Sequence, residues 1–173
     1  WDGTMLYDVR DTGKKLEYGV RRSVTNLELQ FHTDAPWLDL PPEYVGLLCL
    51  NTAAEGGVSR FVSLTDAHST LQGTAPGLRK RLYQPFPWDR QAEHAPDDDK
   101  VGWQPVFADG PRGVMCRYNQ VLIETGAALA GKAVDVGGLE ALAAMRALSE
   151  SPERWIELTI ARGSVPSTAR RSR

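Results

Sequence analysis

The chain has 173 residues, and its 20 Lys+Arg against 22 Asp+Glu leave a formal charge of -2. That balance carries no basic footprint, so nucleic acid is not expected as a partner. With 42% hydrophobic and 24% charged residues the composition is that of one globular domain, and no apolar run approaches the roughly 20 residues needed to span a bilayer.

In chain order, Met5–Val9 reads as a short strand and Asp11–Lys15 as a turn. Leu27-Glu28-Leu29-Gln30-Phe31 alternates apolar and polar residues, the pattern of a half-buried strand, with His32-Thr33-Asp34 at its end. Ala35 to Pro42 is a proline-bearing loop. Tyr44–Leu50 is nearly continuous apolar sequence, as in a strand covered on both faces. A turn at Ala54–Gly57 leads to an alternating strand over Ser59–Leu64, and then the period changes. A helix starts at Thr65 or Asp66, and a second follows Pro76 over Gly77–Tyr83. Residues 84–113 read as loop-rich, with a short strand at Gln104–Phe107; Val114–Asn119 is a further strand. Val136–Leu148 has the clearest helical spacing, and Glu153–Ile160 alternates as a last strand. Residues 164–173, polar and basic, read as a disordered tail after a domain over residues 1–163. These elements suggest an α+β protein, mainly β, built on a jelly roll with flanking helices.

Cys49 and Cys116 lie far apart in apolar runs, as reduced core thiols of a cytoplasmic protein do. The first residues carry neither a basic region nor an apolar one, so no signal peptide is seen, and without an initial Met the chain is expected to start inside a longer one.

The sharpest chemical signal is His32-Thr33-Asp34. On an extended backbone, residues i and i+2 point the same way. One imidazole and one carboxylate then aim at one point, as two donors of a 2-His-1-carboxylate Fe(II) site do. By itself the tripeptide fits equally a strand-end His followed by a turn Asp. Gln30 shares the parity of the pair. Trp37 and Trp88 are read as pocket lining or as packing under a loop. His68 is read as a helix-surface or packing residue and His94 as a solvated one.

The order of strand, His-x-Asp, apolar strand and then Glu55-Gly56-Gly57-Val58-Ser59 resembles the taurine dioxygenase-like (TauD/TfdA-like) family of Fe(II)- and 2-oxoglutarate-dependent oxygenases. Leu6–Thr12, Tyr83–Arg90 and Arg117-Tyr118-Asn119 are similar to the same family, and the resemblance covers roughly residues 5–162. It implies a double-stranded β-helix. It also implies a dioxygenase that uses molecular oxygen and 2-oxoglutarate to hydroxylate a small organic substrate at an unactivated C–H bond. His32 and Asp34 match the first two iron ligands, and Ser59 matches the hydroxyl residue that helps to hold the 2-oxoglutarate carboxylate.

The family also places a second His late in the chain, followed by an Arg for the co-substrate. Here no His follows His94, and residues 164–173 lack the apolar strand that would lead to one. The expectation is a fold incomplete at both ends, cut short or frame-shifted before its last strands, with weak iron affinity and little activity alone. The rival expectation is a non-catalytic remnant or interaction domain, whose unpaired sheet edge favours a homo-oligomer. A third is a small-molecule-binding jelly roll with another metal set.

Overall fold

A computed structural model describes residues 6–15, 17 and 19–164, and the backbone of Ser167–Ala169. Eight short strands and four α-helices follow one another as β1 (Tyr44–Gly46), β2 (Val58–Phe61), α1 (Leu64–Thr74), α2 (Pro76–Leu82), β3 (Pro85–Asp89), β4 (Val101–Pro105), β5 (Phe107–Gly110), β6 (Gly113–Cys116), α3 (Gln120–Leu129), α4 (Val136–Ser149), β7 (Ile156–Thr159) and β8 (Ser167–Ala169). The strands pair in four two-stranded antiparallel sheets, β1 with β8, β2 with β7, β3 with β4 and β5 with β6. The architecture is therefore mixed, with short antiparallel ribbons set against helices.

The helices start where side-chain oxygens satisfy their first N–H groups. Ser63 caps α1 by accepting from Asp66 N at 3.1 Å, two to three residues earlier than the expected Thr65 or Asp66. Asn119 caps α3 by accepting from Leu122 N at 3.2 Å, and Asp135 caps α4 by accepting from Gly138 N at 2.9 Å. Pro76 ends α1 and opens α2, where its missing N–H costs nothing.

The core joins Leu82, Phe86, Trp88, Val106, Phe107, Ile123, Leu142 and Met145, all but sealed from solvent. Its tightest seam is α3 on β3. A Cβ on Gly126 would lie 2.7 Å from both Asp89 N and Pro87 O, so only glycine lets the helix backbone rest on the strand backbone. A bidentate ion pair from Arg81 to Asp135 ties α2 to the start of α4.

Several elements differ from the sequence expectation. The stretch 84–113 holds three strands rather than one, since β3, β4 and β5 take up about half of it. Its prolines misled because proline usually interrupts a sheet. In a two-stranded ribbon every second N–H points away from the partner, and Pro85 and Pro87 share that parity. Helix α3 had no counterpart in the sequence reading, because Val121, Ile123, Thr125 and Gly126 are weak helix formers.

Residues 27–31 form no strand: Leu27 to Gln30 are all exposed, and no described strand pairs with them. Leu6–Val9 is irregular, and Met5 of that expected strand lies outside the described residues. Of the apolar run 44–50 only Tyr44–Gly46 is strand. Leu47, Leu48 and Leu50 are exposed, because the described residues offer no second layer to cover them. Within the expected tail, Ser167–Ala169 pairs with β1, its backbone finding a ladder that composition alone does not reveal; Arg170 to Arg173 lie outside the described residues. Trp37 and Trp88 are both packing residues, Trp88 donating its indole N–H to Gln104 O at 2.7 Å. Neither cysteine forms a disulfide; Cys116 is buried and Cys49 half-buried. No described helix is long and apolar enough to cross a membrane.

Candidate metal centre

Residues 31–35 alternate between half-buried and exposed, with Phe31, Thr33 and Ala35 turned inward and His32 and Asp34 outward. This is the period-two geometry expected of an extended segment. Inward, Phe31 meets the Trp155 ring at 5.8 Å between centroids, and Arg60 covers the same indole. Outward, His32 Nε2 and Asp34 Oδ1 stand 3.7 Å apart, their side chains 31% and 51% exposed.

The segment is fastened to the core at several points. Thr33 N donates to Tyr118 O at 2.7 Å, and Tyr118 N donates to Thr33 Oγ1 at 3.1 Å. Arg117, almost wholly buried, donates from Nη2 to Leu38 O and Asp39 O at 3.2 and 2.9 Å. Gln104 Nε2 donates to Asp39 Oδ1 at 2.6 Å. Trp37 sits over Gly102, where a Cβ would meet Trp37 Cβ at 2.9 Å. The pair thus hangs on the strand end that runs into α3 and on the β3–β4 ribbon.

The donor set suits a divalent transition metal. His32 Nδ1 lies 2.7 Å from Gln30 O, an acceptor only, so Nδ1 carries the proton and the Nε2 lone pair is left for a ligand. The exposed Gln30 serves through this carbonyl. Imidazole nitrogen beside carboxylate oxygen, both reachable from solvent, fits two positions of a non-haem Fe(II) site. Among the described residues no group of three or more His, Cys, Asp and Glu side chains converges as a metal site.

The other histidines are occupied elsewhere. Arg79 Nη1, which can only donate, lies 3.0 Å from His68 Nε2, and Tyr83 Oη lies 3.0 Å from the same atom. Burial first, and the Arg79 charge second, hold the His68 imidazole below its ordinary pKa and so neutral. The same burial, with Asp109 close by, pushes the Tyr83 hydroxyl up. His68 is therefore a buried packing residue, its ring edge-on to Phe107. His94 Nδ1 contacts Ala95 O in a half-buried turn, not the open position expected for it. Ser59 is half-buried in β2 opposite Leu158, a separate element from the His32 segment.

Sequence reading passed over the fastening groups. In the sequence Thr33 is only the middle of a tripeptide, and Arg117-Tyr118-Asn119 carries part of the family resemblance without a stated contact. A β-branched hydroxyl residue between two metal-type donors was the available signal.

The family model described as taurine catabolism dioxygenase TauD, TfdA family matches residues 3–165. Among solved structures, the chain is similar to an asparagine oxygenase in complex with Fe(II), 2S,3S-3-hydroxyasparagine and succinate, with a TM-score of 0.69 and 16% identity over 94% of this chain and 47% of that one. It is also similar to a putative alpha-ketoglutarate dependent 2,4-D dioxygenase from Burkholderia xenovorans, with a TM-score of 0.53 and 18% identity over 82% of this chain and 57% of that one. At these identities the likeness is one of fold, and the chain spans about half the length of each. No curated protein matches.

Proposed function

The chain belongs to the TauD/TfdA family, and from that premise we propose that it is the iron-binding part of an Fe(II)- and 2-oxoglutarate-dependent dioxygenase that hydroxylates a small organic substrate. The observation that carries this reading is the 3.7 Å approach of His32 Nε2 to Asp34 Oδ1, with Nδ1 tied back to Gln30 O. In this reading the fold to which the ribbons belong is the double-stranded β-helix of the family. When bound, the Fe(II) would supply oxygen activation coupled to the conversion of 2-oxoglutarate into succinate.

The part played by the chain's own residues is to hold and to orient. His32 offers an imidazole nitrogen whose tautomer the Gln30 carbonyl fixes, and Asp34 offers a carboxylate that would offset part of the metal's charge. Ser59, with a hydroxyl able to donate to a carboxylate, is the proposed contact for 2-oxoglutarate. Two protein donors bind a metal more weakly than three, so modest affinity is expected of this chain alone.

Anaerobic calorimetric titration with Fe(II) tests the reading. One site per chain is expected, weakened at least tenfold by His32→Ala and by Asp34→Ala. Binding indifferent to both substitutions would sink it.

A second reading is favoured by the exposed Leu47, Leu48, Leu50, Ile156 and Leu158: a non-catalytic domain that associates with a second copy of itself. A monomer by light scattering across the micromolar range rejects that reading.

A further inference from the structure

We propose that Thr33 is the positioning residue of the His32/Asp34 pair, its hydroxyl and its amide gripping the Tyr118 backbone from both sides so that the two flanking side chains face one point. This inference rests on the iron-site reading.

The geometry supplies the argument. Thr33 makes two hydrogen bonds to one residue 85 positions away, donating from N to Tyr118 O and accepting at Oγ1 from Tyr118 N. A backbone amide alone would leave the peptide free to pivot about a single bond. The second bond, through the side chain, removes that freedom. The directions of the Cα–Cβ bonds of residues 32 and 34 depend on the backbone angles of residue 33, so fixing Thr33 aims both donors.

The anchor is itself tied into the core. Tyr118 is buried, Arg117 N donates to Val106 O at 2.7 Å just before it, and Asn119 caps α3 just after it. Among the described residues, the side-chain contacts of the exposed pair are the bond of His32 Nδ1 to Gln30 O and the 3.7 Å approach of His32 Nε2 to Asp34 Oδ1. Valine has the shape of threonine without the acceptor. Thr33→Val would leave the part-buried Tyr118 N–H without its partner, and the local backbone would shift to rehydrate it.

Three forms of the full chain are compared: wild type, Thr33→Ser and Thr33→Val. Co(II) serves as the probe, titrated by its visible absorption. Thr33→Val is expected to weaken Co(II) binding about tenfold, the usual scale for losing a group that orients a metal ligand. Thr33→Ser, which keeps the acceptor, stays within about threefold of wild type. In metal-free protein, three-bond couplings should report one χ1 rotamer each for His32 and Asp34 in wild type and Thr33→Ser, and averaging in Thr33→Val. Wild-type affinity together with single rotamers in Thr33→Val overturns the proposal, as does an equal loss in both variants.

If Thr33→Val fails to fold, amide exchange in the wild type decides. Thr33 and Tyr118 amides should exchange at least tenfold more slowly than the Asp34 amide, which has no hydrogen-bond acceptor among the described residues, and equal rates refute the clamp. Should Co(II) binding prove indifferent to His32→Ala, the iron-site reading fails, while the rotamer measurement still rules on Thr33.

Discussion

Replacing Gly126 by alanine puts a methyl group where α3 rests on β3. The new Cβ would fall 2.7 Å from Asp89 N and from Pro87 O, against 3.4–4 Å for ordinary contact. Both neighbours are backbone, so neither can rotate away, and the helix must retreat by several tenths of an ångström. Overpacking of this kind costs about 1–3 kcal/mol. With two backbone atoms at 2.7 Å the cost falls in the upper part of that range, about 2–3 kcal/mol, and alanine returns about 1 kcal/mol of helix propensity, which leaves a net loss of about 1–2 kcal/mol. For a chain of this size each kcal/mol moves the melting temperature by about 2–4 °C, so a fall of about 2–8 °C is expected in a circular-dichroism melt. Gly73→Ala is the control, since nothing lies within 4 Å of its Cβ in α1, and it should be neutral or stabilising. An unchanged or raised melting temperature for Gly126→Ala would mean that α3 does not lie on β3 as described. Because α3 begins one residue after the Tyr118–Asn119 anchor, the variant should also bind Co(II) more weakly than the control does.

Two pH dependences follow from groups beside these contacts. Burial pushes the Tyr118 hydroxyl up to about 12 from its usual 10; the neutral form is favoured in the fold, so stability is intact below pH 10 and falls toward pH 12. The loss should reach about 2–3 kcal/mol in urea titrations, and Tyr118→Phe should flatten that alkaline limb; a limb of unchanged slope would contradict the assignment. The Arg81 guanidinium, then the Gly138 N–H, hold the Asp135 carboxyl down at about 2. Its contribution is present above pH 4 and lost as pH falls toward 2. Since the side chain is 61% exposed, solvent screening limits this to about 1 kcal/mol or less, and Asp135→Asn should remove that part of the acid limb; an acid limb identical to wild type would show that the ion pair contributes nothing.

Local chemistry was legible in the sequence. The parity of His32 and Asp34, the helical spacing of residues 136–148 and the alternation over 153–160, of which Ile156–Thr159 is strand, each depend on neighbours a few residues apart. They hold whatever the rest of the chain does. The composition also excluded a membrane-spanning helix in the described residues.

What only the tertiary structure decided are the matters set by partners far along the chain. The prolines of β3 became strand residues because β4 pairs with one edge only. Residues 120–129 became a helix, weak formers included, because Gly126 permits a close seat on β3. His68 was committed to Arg79 and Tyr83, and the backbone between the two metal-type donors to Tyr118. Periodicity reports which way a side chain points. Which group it meets depends on surfaces that exist only once the core has closed.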